Sequence, residues 1–84
     1  MKADMPPLNR FKRFDARELI RNGVEPFPEI CKRVDALKAD EGLIVVAPFL
    51  PSPLVERLGG EGFATKIERG RGTDWIVYFW REPG

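Results

Sequence analysis

Histidine is absent from this 84-residue chain. That absence removes the one side chain that ordinarily shuttles a proton near neutral pH, and with it the commonest nitrogen ligand of zinc. Ser-His, Cys-His and HExxH chemistries are excluded, and acid or base work would fall to a carboxylate or lysine with a displaced pKa. The composition weighs against an enzyme. Cysteine occurs once, at Cys31, so no intramolecular disulfide can form. Neither sign of charge is in excess: 14 basic against 13 acidic residues leave a net +1. This argues against a nucleic-acid partner held by bulk charge, while a local basic patch stays open. Long apolar runs are missing too, since Gly42 to Pro53 is broken by prolines and falls short of the ~20 residues that cross a bilayer. Met1-Lys2-Ala3-Asp4-Met5-Pro6-Pro7 carries no apolar segment of the kind a secretion signal needs. These absences predict a cytoplasmic chain with no membrane association, no cofactor and no metal.

A hydrophobic content of 43% describes one small domain, expected to bury only ~60–65% of the surface its unfolded chain exposes. Residues 1–9 are polar, proline-containing and aperiodic, and read as a flexible lead to a single domain over 10–82. Phe11 to Ala16 has strand character, with Phe14 and Ala16 on one face and Phe11 and Asp15 on the other. The charged stretch from Arg17 to Gly23 reads as a loop. Pro26 and Pro28 are compatible only with a first helical turn, where a missing N–H is harmless. Phe27, Ile30, Val34 and Leu37 then recur at helical spacing, predicting a helix that ends at Asp40-Glu41-Gly42. Leu43 to Ala47 is a β-branched run suited to a strand inside a sheet. Ser52 as N-cap and Pro53 at the first helical position open a short second helix closed by Gly59-Gly60. Phe63, Thr65 and Ile67 alternate with charges, Arg69 to Gly72 supplies a turn, and Trp75 to Trp80 closes a hairpin.

The order β-α-β-α-β-β, with right-handed crossovers, predicts an α/β two-layer sandwich: a mixed four-stranded sheet carrying both helices on one face. In the last strand Trp75, Val77 and Phe79 oppose Ile76, Tyr78 and Trp80, so both sheet faces hold large apolar groups. Two outcomes stay open for the face without helices. It is an exposed patch that takes a protein partner or a second copy, or Phe11, Phe14 or the N-terminal arm folds over it.

Asp15 at the end of the first strand and the Pro26-Phe27-Pro28 helix entry resemble the TusA/SirA group of small sulfur-transfer proteins, which carry Cys-Pro-x-Pro at this helix start. Phe14-Asp15-Ala16-Arg17, Glu25-Pro26 and the Arg69-to-Trp75 hairpin are similar still more closely to an uncharacterised bacterial offshoot, the domain of unknown function twenty-two forty-nine. The resemblance spans Phe11 to Arg81, with two departures: Glu25 stands at the cysteine position, and the Arg17 to Val24 segment is longer. It implies a sulfur-carrier fold without the carrier thiol. A helix N-terminus stabilises a thiolate, and it also suits a carboxylate, yet a carboxylate cannot form a persulfide. Glu25 is either a helix-start acid or a ligand-orienting group that would pair with Arg17 or Arg21. Cys31 borders the apolar stripe, where a cysteine packs as a small hydrophobe; a reactive thiol there is the alternative. Arg10, Lys12, Arg13, Arg17 and Arg21 cluster near the first strand and, beside Phe11, Trp75 or Tyr78, leave weak RNA or anion binding open, although Asp15, Glu18 and Glu25 interrupt them.

The candidate interaction residues are thus Asp15, Arg17, Arg21, Glu25, Pro26, Pro28, Trp75, Tyr78 and Trp80, with Cys31 as candidate thiol. They would serve a non-catalytic interaction or regulatory module. The alternative is a sulfur-transfer accessory that docks onto sulfur-relay enzymes or uses Cys31.

Overall fold

A computed structural model describes residues 5–81 of the chain, so the first four residues of the lead and position 82 at the expected domain end lie outside the described residues. Leu8–Arg10 forms a single 3-10 turn that feeds β1 (Phe11–Asp15). After α1 (Arg17–Arg21) and α2 (Phe27–Asp35) come β2 (Gly42–Ala47), α3 (Ser52–Gly60) and the hairpin of β3 (Phe63–Arg69) and β4 (Trp75–Arg81).

The four strands lie in the order β1-β2-β4-β3. β1 runs parallel to β2, whereas β4 is antiparallel to both β2 and β3. The sheet is therefore mixed, and β2 is an inner strand as its β-branched run requires. β2 and β3 run in the same direction, and β4 inserts between them, closing its hairpin against a space the α3 crossover has left open.

One sheet face meets the helices. Leu43 and Val45 of β2, Val77 and Phe79 of β4, Phe14 of β1 and Phe63 of β3 form one buried cluster with Ile30 and Val34 of α2 and Leu54 and Leu58 of α3. Both long helices thus roof the same side, and the molecule is a two-layer α/β sandwich. Fully burying side chains such as Phe79 or Leu54 contributes roughly 1.5–3 kcal/mol each, the main favourable term for so short a chain.

Three local features depart from expectation. Arg17–Arg21 is a helix, not part of a loop. Its backbone closes as a Schellman motif: Gly23 adopts φ 75° and donates to the Ile20 carbonyl at 3.0 Å, while Val24 donates to that of Leu19 at 2.8 Å. Asn22-Gly23 is the stop signal that a helix uses at its C-terminus. α2 stops at Asp35, short of the expected end, because the next turn goes a different way: the Lys38 N–H donates to the Glu41 carboxylate at 2.9 Å. Leu37 remains buried just beyond the helix. In α3 the cap is Pro51, and Ser52 and Pro53 are the first two helical residues; Ser52 makes no side-chain cap bond. Proline at either position leaves out an N–H the helix does not need.

Candidate functional site

The strand faces sort the aromatic residues. Trp75 points to the helix-bearing side with Val77 and Phe79, because β4 pairs Trp75 with Ala47 and Phe79 with Leu43. Tyr78 and Trp80 point to the opposite side, opposite Ile44 and Gly42. The three aromatic candidates therefore do not form one surface. Trp75 is half-buried at the hairpin, with the Arg69 guanidinium 4.6 Å above its ring.

The face without helices is partly covered from β1. The Phe11 ring lies edge-on to Tyr78 at 5.7 Å and to Trp80 at 6.4 Å. It occupies this place because Gly42 lies beneath: a Cβ there would collide with the ring. Trp80 is left only 7% exposed, and its indole N–H has no acceptor among the described residues. Tyr78 donates its hydroxyl to Glu68 at 3.0 Å, and Glu68 is bridged in turn by Lys66 at 3.1 Å. Burial pushes the Tyr78 phenol up and the Glu68 bond adds to it. Lys66 and Tyr78 hold the Glu68 carboxyl below its usual range. Phe11, one of the groups expected to fold over this face, does so above Trp80 with a polar fringe beside it, while Ile44, Ile76 and Tyr78 stay partly exposed.

Asp15 and Arg17 form a clamp at the end of β1. Arg17 donates to both Asp15 oxygens, through Nε at 2.8 Å and Nη2 at 2.6 Å, and its backbone N–H adds a third bond at 3.0 Å. Its Nη1 reaches Asp74, in the β3–β4 turn, at 2.6 Å. One planar guanidinium thereby ties the start of α1 to the hairpin, a fork geometry that lysine cannot supply. The bond to Arg17 holds the Asp15 carboxyl well down, at about 2, and the two carboxylates push the Arg17 guanidinium up.

Arg17 is consequently not available to Glu25, and no ion pair joins Glu25 to Arg21 among the described residues. The alternative in which Glu25 pairs with Arg17 or Arg21 is therefore not the arrangement seen. Glu25 instead accepts the Phe27 N–H at 3.3 Å, in keeping with an acid at a helix start. Arg21, exposed, borders a shallow depression of about 250 Å³ with Asp15, Arg17 and Glu18. Of the other basic residues near β1, Arg10 pairs with Asp40 at 2.7 Å and Lys12 with Glu41 at 3.9 Å. Cys31 is a half-buried free thiol on α2.

The residues that sequence reasoning missed lie around Glu25 and Pro26. Ile20, Gly23, Val24, Glu25, Pro26 and Phe49 line an open depression of about 300 Å³. Val24 is 48% and Phe49 47% exposed. Phe49 follows Pro48 in the β2–α3 connection, at the end of the sheet where α2 begins. The only sequence signal for it is an aromatic between two prolines outside any apolar period. Among the described residues no helix is long and apolar enough to cross a membrane, and no three metal-ligating side chains cluster.

A family model described as "Uncharacterized conserved protein (DUF2249)" matches residues 13–81, which cover the sandwich from within β1 to the end of β4. No curated protein and no solved structure matches the chain. The chain belongs to the DUF2249 family.

Proposed function

We propose that this member of an uncharacterised conserved family is a non-catalytic protein-interaction module that docks its partner at the α2 entry, where Val24, Glu25, Pro26 and Phe49 meet. The observation that carries this reading is the exposure of Val24 and Phe49 around one open depression that Glu25 also lines, where no described segment covers them. Two large apolar groups held in water are unfavourable by ~25 cal/mol per Å² of exposed apolar surface, which a partner would relieve. Glu25 then selects among apolar partners by asking for a cation beside the apolar contact. The same carboxylate leaves this helix entry without a persulfide-forming group. A sulfur-relay enzyme is one class of protein that would dock here, as the resemblance to small sulfur carriers implies.

The test is a photo-crosslinking residue at position 49 or at position 78, in the native host. The expected result is a discrete protein adduct from position 49 that disappears with Glu25→Lys, and none from position 78. Adducts from position 78 alone would assign docking to the sheet face. Crosslinking to nucleic acid in place of protein would reject the module altogether.

A further inference from the structure

β3 is an edge strand: β4 pairs along one side and no described residue pairs along the other. The Gly70 N–H donates to the Asp74 carbonyl at 2.8 Å, which fixes the phase of the hairpin ladder. Antiparallel pairs alternate between hydrogen-bonded and non-hydrogen-bonded. Glu68, Lys66 and Ala64 therefore use their backbone groups on Ile76, Tyr78 and Trp80, whereas Arg69, Ile67, Thr65 and Phe63 turn theirs outward. Native edges are commonly blunted by proline or a bulge. This one has neither, since its pairing with β4 is continuous from Phe63 to Arg69. Ile67 is also 44% exposed, at the mouth of a groove of about 220 Å³ formed with Leu50, Ser52, Val55 and Glu56.

We propose that β3 pairs antiparallel with β3 of a second copy of this chain, about a two-fold axis through Ile67, joining the two sheets into one. Charge selects both the occupant and the register. An axis at Lys66 or at Glu68 sets like charges directly opposite each other, which is unfavourable. An axis at Thr65 places Lys66 opposite Ala64 and Glu68 opposite Gly62, leaving both charges without cross-strand partners. An axis at Ile67 places each Lys66 opposite Glu68 of the other copy, twice over, and Ile67 opposite Ile67. It also brings two outward-facing residues together, so the two Ile67 residues exchange both N–H···O bonds and each Thr65 does the same with Arg69 of the other copy. Lys66 and Glu68 already lie on one face, 3.1 Å apart, and the pairing extends them into an alternating ladder of four charges. A lysine on an edge ordinarily repels a second strand; here the acid two residues on converts that repulsion into a choice of register. This surface lies apart from the α2 entry, so the docking reading stands or falls independently of it.

Sedimentation velocity over a concentration series tests the proposal. The wild-type chain should show a reversible monomer–dimer equilibrium. Lys66→Glu alone and Glu68→Lys alone should each weaken it by roughly tenfold or more. An equimolar mixture of these two variants should restore dimers, because every cross-strand pair is then of opposite sign. Ile67→Pro should abolish dimers without breaking the β4 ladder, since the N–H it removes faces outward. Glu68→Lys also loses the Tyr78 hydroxyl bond, so thermal melts accompany each variant; should it fail to fold, Lys66→Glu and Ile67→Pro decide the matter. A wild-type monomer at every concentration, a dimer indifferent to Lys66→Glu and Ile67→Pro, or no recovery on mixing folded variants would overturn it.

Discussion

The sheet face without helices and the α2 entry are both rich in apolar side chains, yet the first keeps its large apolar groups at least partly buried while the second leaves Val24 and Phe49 about half exposed. On the sheet face Phe11 crosses from β1 and lies against Tyr78 and Trp80, while Glu68 and Lys66 finish the polar border. At the α2 entry Val24 and Phe49 have no such cover among the described residues, and Glu25 is committed only to a backbone N–H at 3.3 Å. Counting aromatic residues along a strand does not reveal which region is closed. That depends on one ring and on the absence of a Cβ on the residue beside it.

The largest effect should come from opening the closed region. Phe11→Ala removes the half-buried cover and should destabilise the fold by about 2 kcal/mol, roughly half of what truncating a fully buried phenylalanine to alanine costs once the cavity is included. Denaturant unfolding would give that value, with a red shift of tryptophan emission as Trp80 meets water. A mainly unshifted spectrum would mean that Phe11 does not cover Trp80. Gly42→Ala keeps the ring but puts a methyl where it lies, so ring and strand must move apart. A loss of about 1–2 kcal/mol is expected, with a smaller shift in the same direction.

The clamp at the boundary between the regions has a pH signature. Asp15 titrates at about 2 in the fold, against an ordinary value of 3.8. A depressed folded pKa adds stability that is present above the ordinary value and lost as pH falls from about 4 towards 2. Arg17→Met should return the Asp15 titration, followed by carboxyl-carbon NMR, towards 3.8 and flatten that part of the acid-stability profile. An Asp15 midpoint that stays near 2 in the variant would show that Arg17 is not its cause. The smallest stability change belongs to the open region: Phe49→Asp should alter folding by no more than about 0.5 kcal/mol while abolishing partner capture. A large destabilisation would mean that Phe49 is a structural residue.

Much of the architecture is legible because it rests on periodicity. Ile30 and Val34, Leu43 and Val45, and Val77 and Phe79 are spaced as their elements demand, and both long helices roof one side of the sheet, although which side is not legible from the sequence. The helix from Arg17 to Arg21 escapes a periodicity reading because its charged residues outweigh Leu19 and Ile20, while its real signature is the Asn22-Gly23 stop. The candidate site is less legible. Asp15 and Arg17 stand out from the sequence, but their shared partner Asp74 lies 57 residues from Arg17, and no local pattern reports such a contact. Strand alternation already separates Trp75 from Tyr78 and Trp80 in the sequence, but does not say which of the two faces the helices cover. Phe49 stands in a connection whose exposure depends on how two chain segments meet, and Glu25 draws attention through its position before the proline bracket while its apolar neighbours do not.

Hydroxyl-radical footprinting tests the contrast between the two regions most directly, because it reads side-chain exposure at each aromatic in one experiment. In the free protein Phe49 should be modified readily and Trp80 scarcely at all; with native partner present, Phe49 should become protected while Tyr78 keeps its rate. Modification of Trp80 as fast as that of Phe49 in the free protein, or protection that appears at Tyr78 and spares Phe49, would contradict the account.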